Sequence, residues 1–95
     1  MTIEVVDNTD LHRYEVFVDG TRRGIADYLV HESVVTFSHT LVDPAARGQG
    51  LAARLISRAL DDARAAGRTV IPECWYVAQF IEQHSEYANL LAPQL

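Results

Sequence analysis

The chain has 95 residues, a length for one small domain, and its 48% hydrophobic and 22% charged content is an ordinary globular balance. A formal net charge of −5 without a basic run argues against nucleic acid, whose binding demands phosphate neutralisation, and no lysine is present at all. No stretch approaches the ~20 apolar residues of a membrane span, the first residues lack a signal-peptide pattern, and one cysteine cannot form an internal disulfide, so a soluble cytoplasmic protein with no membrane partner is expected.

Ile3 to Val6 reads as a short opening strand. From Arg13 the pattern alternates, with Tyr14, Val16 and Val18 on one face and Arg13, Glu15 and Phe17 on the other. Asp19-Gly20 is a hairpin signal. The return strand from Thr21 to Val30 contains Gly24, which inside a strand marks a bulge. His31 to Ser33 form a second turn. Val34 to Val42, rich in β-branched residues, completes an antiparallel meander of three strands. On this strand His39 is expected to share a face with Val35, Phe37 and Leu41. Pro44 ends the strand region.

From about Gly50 the period becomes that of a helix. Ala52, Leu55, Ile56, Ala59, Leu60 and Ala63 form one apolar stripe, and Arg58 and Asp62 stand one turn apart, placed to pair. Gly67 is a C-terminal cap. A short strand follows and is closed by Pro72. Tyr76 to His84 reads as a second helix with Val77, Phe80, Ile81 and His84 on one face. The tail from Glu86 to Leu95 packs through Tyr87, Leu90 and Leu91. The order is β-β-β-α-β-α. A strand–helix–strand crossover makes the last strand parallel to the one before the helix, with a right-handed connection. The expected fold class is α+β, a mixed sheet with helices.

The stretch DPAARGQGLAARL, from Asp43 to Leu55, puts two glycines where a helix nucleates. Nucleation is costly, and glycine is a poor helix former. Two readings stand. The glycines serve a tight connection needing positive φ, or they let a phosphate reach the unpaired N–H groups of a helix start. A Walker loop is excluded because no G-K-S/T follows, and a Rossmann fingerprint because its third glycine is missing.

Arg47-Gly48-Gln49-Gly50-Leu51-Ala52 matches the Q/R-x-x-G-x-G/A signature of the GNAT acetyltransferases, and the chain resembles that superfamily. It is similar to the minimal, YjdJ-type branch. That branch shows a strand ending in His-Thr, here His39-Thr40, then the glycine loop and helix. A strand then leads into Pro-x-Cys, here Pro72-Glu73-Cys74, and a closing motif corresponds to His84-Ser85-Glu86-Tyr87. The resemblance covers residues 38 to 91 closely and the N-terminal hairpin by topology only. Trp75 stands where the branch often has proline, and Ser85 replaces the proline before Glu86.

The resemblance implies a single minimal N-acetyltransferase domain over residues 1–95. Its fold would be GNAT-like: an antiparallel β-meander followed by α-β-α, with a parallel strand pair splayed around the cofactor. It implies acetyl-CoA (CoA) as cofactor. The pyrophosphate would lie on Arg47, Gly48, Gln49, Gly50, Leu51 and Ala52, and the pantetheine arm along the backbone of Leu41 and Val42. Cys74 is then a nucleophile, a neighbour of the thioester, or a buried apolar residue. Glu73 beside it argues against a strongly depressed thiol pKa. His39 is a base for Cys74 or a core histidine. Tyr76 protonates the leaving thiolate or simply packs. No Cys/His spacing resembles a metal site. The acceptor is an unidentified amine, on a protein or a small metabolite. The rival readings are a CoA-binding or protein-interaction module with little catalysis, and a structural domain. A monomer or weak homodimer is expected.

Overall fold

The computed structural model describes residues 1–93. Five strands form one sheet in chain order: β1 (Ile3–Asn8), β2 (Arg13–Val18), β3 (Thr21–His31), β4 (Val34–Val42) and β5 (Thr69–Pro72). The first four are antiparallel, and β5 runs parallel to β4. Two helices, α1 (Leu51–Ala65) and α2 (Trp75–Gln83), complete the fold. The expected mixed sheet is present, with one strand more in its antiparallel part than the meander alone supplies. The opening segment pairs along all of β2, from Ile3↔Val18 to Asn8↔Arg13. A 3-10 turn at Thr9–Leu11, with the Asn8 side chain accepting from Leu11 N–H, reverses the chain between them.

Two bulges set the geometry. One lies between Val16 and Phe17, beside Gly24. A Cβ at Gly24 would sit 3.1 Å from the Leu41 carbonyl oxygen and 3.1 Å from Val16 Cγ1, so the neighbouring strands pack against bare backbone there. The other leaves Ser38 as an extra residue, since Asp27 pairs with His39 but Tyr28 pairs with Phe37. An inserted residue reverses the facing of everything beyond it. Val35 and Phe37 face the helices before the bulge, and the half-buried Thr40 and Val42 do so after it. His39 therefore does not share a face with Val35 and Phe37, as the unbroken alternation predicted. It lies exposed with Leu41 on the opposite side.

Core packing joins one sheet face to both helices. The sheet contributes Tyr14, Val16, Ala26, Tyr28, Val35, Phe37 and Val70. In α1 the buried stripe is Leu51, Leu55, Ile56, Ala59, Leu60 and Ala63, so Leu51 rather than Ala52 heads it. Burial of each large aliphatic side chain stabilises by about 1.5–3 kcal/mol. The helix ends in a Schellman motif, with Arg68 N–H bonded to Ala63 O at 2.9 Å and Gly67 N–H to Arg64 O at 3.1 Å. Arg58 pairs with Asp62 at 3.0 Å, and Tyr14 donates to the same carboxylate at 2.8 Å, tying α1 to β2. α2 buries Val77, Phe80 and Ile81. His84 is half-buried at its C-terminal end, stacked on Phe80 with centroids 3.9 Å apart.

The tail forms a 3-10 segment, Ser85–Leu90, which buries Tyr87 and Leu90. Leu91 is exposed instead of packed. Its contribution is backbone: it bridges Val70, and Ala92 N–H donates to Val70 O at 2.9 Å. The outer edge of β5 is thereby covered. Gln94 and Leu95, the last residues of the expected tail, lie outside the described residues.

The other sheet face carries no helix among the described residues. Leu29 and Leu41 are 60% and 52% exposed on it. Glu15 is buried there beneath Arg13, at 2.8 Å, and Arg22, at 3.4 Å. Burial alone would raise its carboxyl, but the Arg13 hydrogen bond and its neighbours hold it below the usual range.

Candidate functional site

β4 and β5 pair only from Val34↔Thr69 to Phe37↔Pro72, followed by one bond from Cys74 N–H to Phe37 O at 2.9 Å. Beyond it the strands part. β4 continues to Val42, while the chain after Pro72 turns into α2. The β5-side edge of β4 from Ser38 onward thus has no strand beside it. A cavity of about 450 Å³ opens at this divergence. It is walled by Thr40 and Val42 of β4, by the loop and first turn of α1 from Ala46 to Ala53, and by Trp75 and Tyr76 of α2.

The loop is pinned at its start. Asp43 accepts from Ala45 N–H at 3.0 Å and from Arg23 at 2.9 Å, and these two contacts hold its carboxyl below the usual range. A 3-10 turn at Pro44–Ala46 then buries Ala46. Gly48 and Gly50 follow with φ of 88° and 72°, a conformation that favours glycine, and a Cβ at either would meet nothing within 4 Å. Both readings of the glycines are therefore compatible: the backbone needs positive φ, and the space beside it is open. Gly50 is the N-cap of α1 and supplies no side-chain cap, and the first turn holds no acidic residue. Among the described residues, no acceptor takes the N–H groups of Gly48 through Ala53. Arg47 and Arg54, on either side of this cluster, have no acidic partner among the described residues. A helix start so left is a positive, donor-rich surface suited to an anion.

Of the residues expected to hold pyrophosphate, Arg47, Gly48, Gly50, Leu51 and Ala52 line the cavity; Gln49 is exposed and does not. Val42 lines it as well. The Leu41 side chain points away, leaving only its backbone on the relevant strand.

At the divergence Cys74 is buried as the N-cap of α2. Its Sγ lies 3.6 Å from Thr40 Oγ1. Burial pushes the thiol up, but the Thr40 hydroxyl and the N–H groups of Val77, Tyr76 and Thr40 outweigh it and bring the thiol below its usual range. The backbone N–H groups act without closing a capping hydrogen bond. Glu73 does not figure among the leading influences on the thiol. Of the two alternatives for His39, base for Cys74 or core histidine, the second fails because His39 is exposed. The first has no counterpart in the contacts of the thiol, whose side-chain partner is Thr40. The Tyr76 hydroxyl is pushed up by burial, so it stays protonated at neutral pH. Thr40 and Trp75 were not singled out as site residues from the sequence. Thr40 stands inside the His-Thr motif, but only the bulge at Ser38 turns it toward the cavity.

The fold and cavity define a class: a mixed sheet whose parallel pair splays open beside a glycine-rich helix start. The family model described as GCN5-related N-acetyl-transferase matches residues 13–90, and the chain belongs to that family. Among solved structures, a GCN5-like protein of Staphylococcus aureus superposes with a TM-score of 0.73 at 17% identity, over 97% of this chain and 90% of that one. The ribosomal-protein-S18-alanine N-acetyltransferase of Escherichia coli gives 0.68 at 16% identity, over 87% and 75%. The N-acetylglutamate synthase of Neisseria gonorrhoeae, solved with coenzyme A and N-acetyl-glutamate, gives 0.57 at 22% identity, over 64% of this chain and only 15% of that one. At such identities the superpositions show the fold. A search of curated protein sequences gives no match.

Proposed function

We propose that the chain binds acetyl-CoA and transfers the acetyl group to an amine. One observation carries this reading. The N–H groups of Gly48, Gly50, Leu51, Ala52 and Ala53, without acceptors among the described residues, sit on residues that line a cavity opening where β4 and β5 part. The N. gonorrhoeae relative is solved with coenzyme A, and family membership supports the same cofactor here.

Acetyl-CoA supplies an activated thioester. The helix start and the Arg47 side chain hold its phosphates. The free edge of β4 near Leu41 and Val42 takes the pantetheine amides as a strand would. When the acceptor amine attacks the thioester carbon and the C–S bond breaks, the Tyr76 phenol would give a proton to the departing sulfur, and the amine's proton would leave to solvent. The phenol is protonated at neutral pH as any tyrosine is. Cys74 lies at the inner end, next to the thioester, without forming a lasting adduct. In this reading residues 1–95 act as one minimal domain of the YjdJ-type branch, as a monomer or weak homodimer in the cytoplasm. No helix is long and apolar enough to cross a membrane among the described residues.

A second reading, a CoA-binding interaction module, is favoured by the helix-free sheet face with its exposed Leu29 and Leu41. Release of free CoA thiol from acetyl-CoA separates the two. The transferase reading expects amine-dependent release with a polyamine or a peptide bearing a free amine. Binding of acetyl-CoA with no release across such acceptors would favour the module.

A further inference from the structure

We propose that Thr40 is the positioning residue of the Cys74 thiol, fixing the sulfur's orientation and reactivity from the free stretch of β4. The inference rests on the proposed function in placing this thiol at the reacting end of the cavity. Its observations are separate from the phosphate loop.

The Ser38 bulge is the first. It reverses the facing of β4, so Thr40 points to the helix side, toward the start of α2, whereas an unbroken strand would turn it away. Thr40 is half-buried and itself lines the cavity, while Cys74 is buried behind it. The hydroxyl at 3.6 Å is the side-chain group within hydrogen-bond reach of Sγ. A threonine hydroxyl can donate to a thiolate and rotate to accept from a thiol, so it serves the sulfur in either state.

The remaining groups near the sulfur point the same way. From α2 the N–H groups of Tyr76 and Val77 favour negative charge at a helix start. The Tyr76 hydroxyl is neutral at physiological pH. From β4, His39 lies on the opposite face of the strand, exposed, and Glu73 after β5 is exposed. No charged side chain is among the leading influences on the thiol. Burial is opposed there by dipoles, and among them the Thr40 hydroxyl is the one that a side-chain substitution removes.

The chain has one cysteine, so thiolate absorbance in the far ultraviolet reports Cys74 alone, with Cys74→Ser as the blank. Titrated against pH, the wild type forms thiolate below the ordinary cysteine range. Thr40→Val moves that transition upward and lowers the thiolate fraction at neutral pH several-fold, and Thr40→Ser restores the wild-type curve. If Thr40→Val does not fold, Thr40→Ala makes the same comparison. A Val or Ala variant titrating as wild type, or a Ser variant shifted as far as Val, overturns the assignment. Calorimetric titration of the same proteins with acetyl-CoA keeps the two claims apart. Failure of the wild type to bind overturns the proposed function, while the thiolate curves still decide the role of Thr40.

Discussion

Gly48 and Gly50 combine positive φ with open space beside the backbone. A connection that needed only the turn would tolerate asparagine, which adopts the left-handed region more readily than other side chains. A phosphate cradle would not, because any Cβ stands where the ligand approaches. Gly50→Val therefore pays about 1–2 kcal/mol in backbone strain and also loses acetyl-CoA affinity. Gly50→Asn is expected to keep most of the stability and still lose affinity. Thermal melts paired with binding isotherms check this. An Asn variant binding like wild type would leave the turn as the whole explanation. The glycines, Arg47 and Cys74 were legible as residues because their types and spacing are unusual. Thr40 was not, since its orientation follows from the inserted Ser38, and a bulge leaves no mark in a β-branched run.

Periodicity read the elements well wherever one face alone is buried. The α1 stripe from Leu55 to Ala63, the Arg58–Asp62 pair and the Gly67 cap are all present. It failed at ends and edges. β1 alternates weakly, and its place in the sheet depends on the turn at Thr9–Leu11. Leu91 works through its backbone, which no hydrophobic pattern records. Tyr28, on β3, shows what polar anchoring adds between elements. Burial and a 2.6 Å hydrogen bond to Asp7 push its hydroxyl up to about 12. An unfolded tyrosine titrates near pH 10. The folded state thus favours the protonated form. The associated stability is complete below about pH 10 and is lost as pH rises through about 12. Denaturant unfolding at stepped pH should show this alkaline decline, and Tyr28→Phe should flatten it. An equal decline in the variant would assign it elsewhere, with Tyr14, raised by burial and Asp62, as the next group to test.

At the scale of the molecule, the crossover from β4 through α1 to β5 does two things at once. It closes the core with Leu55, Ile56 and Leu60, and it sets a bare helix start at the mouth of a splayed strand pair. That topology followed from the order of elements. The splay did not, because it depends on α2 beginning only two residues after a four-residue β5. The absence of lysine has a practical consequence, since no ε-amine of this chain can accept acetyl and confuse a transfer assay. The central claim is that this opening receives acetyl-CoA, and calorimetric titration of the full chain with acetyl-CoA tests it most directly. The account predicts saturable binding of one equivalent, competed by CoA and lost in a folded Gly50→Val variant. A folded wild type giving no binding at millimolar acetyl-CoA, or a Gly50→Val variant binding as the wild type does, would contradict it.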